Sequence, residues 1–248
     1  MSEACPPPGP RILSFETIDS TNLEARRQVE GGERGPLWLT AGVQTAGRGR
    51  QGRHWQTPSG NLAATLLTTT ARPPMQAAQL AFVAALAVAD LVSAYVTPGL
   101  VTLKWPNDTL LGGAKVSGVL IESGALPEGG VWLAVGMGVN LAHHPHDTER
   151  PSTSLAACMN VPPPGPEEAL PRLANAFAYW QALWEAQGFQ PIAAAWTSRA
   201  HGLGLACTAR LPTETVHGVS EGLDPDGALR LRLTDGSLRR ITAGDVFF

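Results

Sequence analysis

The chain predicts an α/β (α+β) architecture, a mixed β-sheet domain followed by a small all-β barrel at the carboxyl end. Three observations lead there. Short runs rich in leucine, valine and threonine alternate with helical stretches through most of the chain, the pattern of strands and helices sharing one core. Beyond Gly204 the alternation stops, and residues 205–211, 216–223, 228–233 and 238–241 read as short strands separated by Asp224-Pro225-Asp226-Gly227 and Asp235-Gly236, strong hairpin signals. Finally, 248 residues suffice for one medium core with an appendage. We therefore expect a disordered proline-rich tail over 1–10, a main domain over 11–203 and the barrel over 204–248.

Taken in order, residues 11–16 form a short apolar strand that leads into Asp19-Ser20-Thr21-Asn22. Residues 23–29 read as a helix, stopped by Gly31-Gly32, and Thr21 with Glu24 has the spacing of a capping box. A strand over 37–43 precedes an arginine-glycine loop, and 61–69 is a further strand. Pro73-Pro74 launches a long helix that ends before Pro98. Its stretch 75–96 is the most apolar in the chain, but Gln76, Gln79 and Asp90 interrupt it and alanine dominates, so it reads as a buried helix and not a membrane span. Strands over 101–104 and 116–122 flank a turn, and 131–139 is another strand. Residues 143–152 are loop, after which Gly165-Pro166-Glu167-Glu168 opens a helix through Trp184. Trp180 and Trp184, four apart on that helix, belong to the core.

Composition removes several function classes. A net charge of −3 argues against a general nucleic-acid binder. Cys5, Cys158 and Cys207 have neither CxxC spacing nor a disulfide pattern, which suits a reducing cytoplasm, and the first residues lack the basic start and apolar run of a secretory signal. His143, His144 and His146 crowd one loop without the pattern of a metal site, and no histidine lies near Cys158 in sequence to activate it as a nucleophile.

Two stretches carry chemistry. Gly47 to Arg53 interleaves Arg48, Arg50 and Arg53 with Gly47, Gly49 and Gly52, and no acidic residue occurs between Glu33 and Asp90 to neutralise them. A mobile cationic loop of this kind closes over a polyanion, and closure is what strengthens its charges, since a pair at 4 Å interacts by about 4 kcal/mol at an effective dielectric near 20 against about 1 in water. The glycines also spell G-x-G-x-x-G, but His54-Trp55-Gln56-Thr57-Pro58 follows instead of a helix and no acid stands downstream, so a dinucleotide fingerprint is rejected. The second stretch is Lys104-Trp105-Pro106-Asn107-Asp108, with Gly112-Gly113 turning the chain back to Lys115. Such a hairpin presents Asn107, Asp108 and Lys115 toward one cleft, although Asn107-Asp108 alone would equally be an Asx turn.

In this order the motifs resemble those of the biotin protein ligases, also called biotin–acetyl-CoA-carboxylase ligases. The resemblance rests on Ser20-Thr21-Asn22, Gln44 with the GRGRQGR run and Trp55, the KWPND run with Lys115, Gly118, Gly136-Met137-Gly138-Val139-Asn140 and the terminal barrel, and so covers nearly the whole chain. It implies the biotin/lipoyl ligase fold, with residues 11–203 as the catalytic domain binding biotin and ATP. It also implies an ATP-dependent ligase that makes biotinyl-5'-AMP and passes biotin to a lysine of a biotin carboxyl carrier domain. Magnesium is expected with ATP, without a tightly bound protein-ligated metal.

The resemblance assigns Ser20, Thr21, Asn22, Gln44 and the backbone of Gly47 and Arg48 to biotin, with Gly49, Arg50 and Lys115 beside it and Gly118 and Gly138 admitting the flat ring. Arg48, Arg50, Arg53, Trp55, Asn140 and Lys115 would contact the nucleotide. Lys115, Arg48 and Arg50 would be catalytic, Lys115 acting as a charge and not as a nucleophile. Asn107 and Asp108 would orient the acceptor amine or a metal. Gln51 departs from the second arginine usual at that place, which bears on adenylate retention, and the start of the chain leaves no room for a winged helix-turn-helix, so no repressor role is expected. Neither nucleic acid nor membrane is an expected partner, and a homodimer is compatible with the sequence. The alternatives are a lipoate ligase or octanoyl transferase, and a non-catalytic protein that senses nucleotide or biotin.

Overall fold

The computed structural model describes residues 11–146 and 148–248, so the expected tail over 1–10 lies outside the described residues. The chain runs β1 (Ile12–Ile18), α1 (Thr21–Glu30), β2 (Leu37–Gln44), β3 (Leu62–Thr70), α2 (Pro74–Ala77), α3 (Leu80–Ser93), β4 (Val101–Lys104), β5 (Asp108–Leu111), β6 (Ala114–Ala125), β7 (Val131–Val139), α4 (Leu155–Cys158), α5 (Pro166–Gln187) and α6 (Phe189–Thr197). It ends with β8 (Ala206–Arg210), β9 (Thr215–Leu223), β10 (Leu229–Arg232), β11 (Leu238–Ile241) and β12 (Asp245–Phe247).

Seven strands form a mixed sheet in the order β1-β2-β3-β7-β6-β5-β4, in which β1 runs parallel to β2 and the other pairs are antiparallel. Strand alternation gives the sheet two unlike faces. On β7, Val131, Leu133, Val135, Met137 and Val139 join the main core with α3 and α5, whereas Ala134, Gly136 and Gly138 point the other way. On β3 the same split sets Leu62, Ala64 and Leu66 against Ala63 and Thr65. The bulky face is covered by helices; the small face, covered only in part by α1, retains a slot. That difference in side-chain volume positions the site.

Helix α3 is buried along nearly its whole length, which accounts for its apolar composition. The long helix expected from Pro74 divides into α2 and α3 at Ala78-Gln79, where Gln79 Oε1 accepts a hydrogen bond from the Trp184 indole of α5 at 3.0 Å. Trp180 is tied similarly to Asp90. Helices α4 and α6 and strands β5 and β12 are additional to the expected elements: α4 is one turn, α6 follows α5 after only Gly188, β5 occupies four residues of the expected turn, and β12 is three residues long. The capping box does not form. Ser20 occupies the N-cap and offers only its carbonyl to Glu24 N, while Glu24 is drawn to Arg27 and Gln28.

The carboxyl-terminal unit is a five-stranded antiparallel sheet in the order β11-β10-β9-β8-β12. Trp105 is buried and donates its indole N–H to Gly227 O at 3.1 Å, joining the KWPND turn to this unit.

Candidate active site

A cavity of about 360 Å³ lies on the small face of the sheet, beside the amino end of α1. Its floor is β3, β7 and β6, and its roof is the arginine-glycine loop. At one end Thr21 donates both its backbone N–H (2.9 Å) and its hydroxyl (3.1 Å) to Gln44 Oε1, and Gln44 Nε2 donates to Thr57 at 2.9 Å. Thr65 Oγ1 lies 2.8 Å from Thr21 Oγ1 and 2.7 Å from Asn22 Oδ1. Asn22 Nδ2 donates to Glu122 at 3.0 Å. Ser20, Thr21, Asn22 and Thr65 are all buried. The result is an ordered polar end whose side chains are held by one another.

The middle of the floor is flat because Gly118 and Gly138 face each other across β6 and β7. A methyl group on Gly138 would fall inside the Trp55 indole, and one on Gly118 would lie 3.4 Å from it and 3.2 Å from Lys115 Nζ. Trp55 therefore lies over the two glycines, with Lys115 Nζ 5.5 Å from its ring centre. This places Trp55 against the floor expected for the flat ring.

The other end is cationic. The β5–β6 pairing shifts register between Thr109 and Leu110, leaving Val116 as an extra residue, and Gly112 and Gly113 turn the hairpin with positive φ. The bulged strand brings Lys115 Nζ to 2.6 Å from Asp108 Oδ1, a charge contact without hydrogen-bond alignment. Asn107 connects the two motifs: its Oδ1 accepts from Arg50 at 3.2 Å while its Nδ2 donates to Val119 O at 2.8 Å. Burial lowers the affinity of the Arg50 guanidinium for its proton. Arg53 reaches Asp245 of β12 at 3.1 Å.

The structure thus brings Ser20, Thr21, Asn22, Gln44, Arg48, Gly49, Arg50, Arg53, Trp55, Asn107, Asp108, Lys115, Gly118, Gly138 and Asn140 to one cavity, and leaves Gly47 off its wall. Gly47 instead packs against the Trp55 carbonyl and Gln44 Nε2, a close approach only glycine allows. Arg48 stands apart from the other cations, paired at 3.1 Å with Glu122 at the polar end. Asn140 is buried and donates to Thr153 O at 3.0 Å, bracing the segment behind Lys115. Gln51 adopts a left-handed conformation, φ 55°, in the turn that closes the loop.

Sequence reasoning missed Thr65, Glu122, Arg150 and Asp245. The first two had a signal, since alternation along β3 and β6 could have aimed them at the slot. The last two had none, being brought in by a loop and by the carboxyl-terminal unit. Lys104 is buried with no carboxylate within ion-pairing distance among the described residues, and burial together with the charge of Arg150 pushes its ammonium down to about 8.

The chain belongs to the biotin/lipoate A/B protein ligase family, whose model matches residues 14–140. The model of a biotin protein ligase C-terminal domain matches residues 202–248. Among known proteins it is 44% identical over 238 residues to a biotin–[acetyl-CoA-carboxylase] ligase of Paracoccus denitrificans, an alignment covering 93% of this chain and 97% of that protein. It is 28% identical to a bifunctional ligase/repressor of Bacillus subtilis, over 96% of this chain and 74% of that protein. A biotin protein ligase from Aquifex aeolicus, solved in complex with biotin and ATP, superimposes with a TM-score of 0.80 at 26% identity, covering 96% and 97% of the two chains.

Proposed function

We infer that this chain is a biotin protein ligase, which joins biotin to ATP as biotinyl-5'-AMP with release of pyrophosphate and then passes the biotinyl group to a carrier lysine. One observation carries the reading beyond family membership: the cavity is ordered as a polar end, a flat floor and a cationic end, the order of a ureido ring, a fused apolar ring and a carboxylate in biotin. A lipoate ligase would need a tunnel for an alkyl chain, and the polar cluster of Thr21, Asn22, Gln44 and Thr65 suits a hydrogen-bonding ring better than an alkyl chain.

In the first step a biotin carboxylate oxygen attacks the α-phosphorus and pyrophosphate leaves. Two anions must meet, so cations at the meeting point lower the barrier. Lys115, drawn back onto Asp108, and Arg50, aimed by Asn107, are the groups suited to it. In the second step the carrier amine attacks the acyl carbon and AMP leaves; Lys115 then stabilises the charge that develops on the carbonyl and phosphate oxygens. The loop from Gly47 to Arg53 shields the anhydride from water. Among the described residues no group of three or more histidine, cysteine, aspartate or glutamate side chains could hold a metal. Magnesium would arrive with ATP and would supply charge neutralisation at the phosphate oxygens, and Asp108, on the cavity wall, is a carboxylate that could help hold it. We place the reaction in the cytoplasm, where ATP and carboxylase carriers meet.

Incubated with ATP, magnesium and radiolabelled pyrophosphate, the protein should exchange label into ATP only when biotin is present, and should then biotinylate a carrier domain. Exchange driven by lipoate and not by biotin, or no exchange at all, would reject the reading.

A further inference from the structure

We propose that Arg150 is a substrate-binding residue of the ligase, holding the β- and γ-phosphates of ATP and the pyrophosphate they become. The proposal rests on the biotin-ligase reading and concerns a residue outside the motifs that support it. Arg150 enters the cavity from the segment after β7. Its guanidinium lies over the Phe247 ring with Cζ 4.2 Å from the ring centre, a cation–π contact that braces it. Nη1 is 3.6 Å from Asp108 Oδ2, and Nη2 is 3.9 Å from Asp245 Oδ1. Both Nε and Nη2 are buried yet have no hydrogen-bond acceptor among the described residues.

Those two donors point the same way along one side of the guanidinium, forming the fork that takes two oxygens of a phosphate at once. A buried fork without an acceptor is costly, and an arriving oxyanion removes the cost. The surrounding charges agree. Lys115, Asp108, Arg150, Asp245 and Arg53 follow one another at 2.6, 3.6, 3.9 and 3.1 Å, three cations against two anions. Arg50 adds a fourth cation, whose acceptors among the described residues are neutral, Asn107 Oδ1 and Gly244 O. The row leads away from the glycine floor: Lys115 lies over Gly118, Asp108 follows, and Arg150 is the next step out. If carboxylate and α-phosphate meet at Lys115, the anion one step beyond is the rest of the triphosphate. Biotin has no second anionic group for that place, and the adenylate has lost the phosphates that would fill it.

That last difference provides the test. Arg150→Met and Arg150→Lys are made in the full chain and assayed in two ways: biotin-dependent exchange of pyrophosphate into ATP, and transfer to a carrier domain from chemically prepared biotinyl-5'-AMP, which bypasses ATP. Arg150→Met should raise the KM for ATP and the inhibition constant for pyrophosphate by about ten- to a hundredfold, and leave transfer from the adenylate within about twofold. Arg150→Lys should recover only part, since an ammonium keeps the charge and loses the fork. Unchanged constants in Arg150→Met, or equal losses in both assays, would overturn the proposal. Should Arg150→Met fail to fold, Arg150→Lys decides: a weaker pyrophosphate constant supports the fork, and a wild-type one rejects it. Absence of biotin-dependent exchange in the unaltered chain would instead reject the ligase reading, so the two failures are distinct.

Discussion

Two lysines set 11 residues apart in the sequence have opposite environments, and each leads to a different experiment. Lys115 is partly exposed, lies over Gly118 and pairs with Asp108, so its charge is available to a ligand. Lys115→Gln keeps much of the side-chain length and removes the charge; adenylation measured by pyrophosphate exchange should fall about a hundred- to a thousandfold, with thermal stability nearly unchanged. Lys104 is buried, and its ammonium is held near 8 by desolvation first and by Arg150 next. Unfolded, a lysine titrates near 10.4. Between those values the unfolded chain holds a proton that the folded chain has lost, so stability rises with pH across that window, and below it Lys104 opposes folding in full. Lys104→Met should therefore raise the unfolding free energy at pH 7, by at most about 3 kcal/mol, and flatten the rise between pH 8 and 10.5. A lower melting temperature in Lys104→Met at neutral pH would contradict this account.

At the scale of elements, the site depends on strands that are small on one face and on a turn that aims a loop. Gly138→Ala puts a methyl group where the Trp55 indole lies, so Trp55 must leave the floor. Displacing the indole costs about 1–3 kcal/mol of packing, which alanine's advantage as a strand residue, roughly 0.5–1 kcal/mol, offsets only in part, so stability should fall modestly while biotin-dependent exchange falls about a hundredfold; an active Gly138→Ala variant would show that the floor is not where biotin rests. Asn107→Ala removes the acceptor that aims Arg50 and the donor to Val119 O together. It should cost about 1–2 kcal/mol in urea denaturation and lower the adenylation rate more than it weakens biotin binding.

At the scale of the molecule, the carboxyl-terminal sheet is joined to the catalytic cleft by specific contacts. Trp105 donates to Gly227 O, Arg50 to Gly244 O, and Arg53 and Arg150 face Asp245. Trp105→Phe keeps the apolar burial and leaves the Gly227 carbonyl without its donor, and should destabilise the chain by about 1–3 kcal/mol, measured by thermal unfolding. A variant as stable as the parent would mean that water replaces the indole.

Much of the site could be read before the fold was known, because biotin-ligase chemistry needs particular residue types at particular spacings: the interleaved arginines and glycines, the KWPND turn and Lys115 are local in sequence. The alternation of large and small residues along 133–139 is local as well, and the sheet shows it as one bulky face and one small one. What local pattern could not supply was pairing between distant segments. The capping box of Thr21 and Glu24 lost to Gln44, 23 residues away, and the long helix after Pro74 broke where Gln79 meets Trp184. By itself the sequence determined which chemical groups were present and which backbone turns could carry them, since those follow from residue type and near neighbours. Only the tertiary structure decided that Arg48 pairs with Glu122, that Trp55 lies over Gly118 and Gly138, and that Arg150 reaches the cleft with two donors unpaired among the described residues, because each depends on segments that meet only after the sheet has formed.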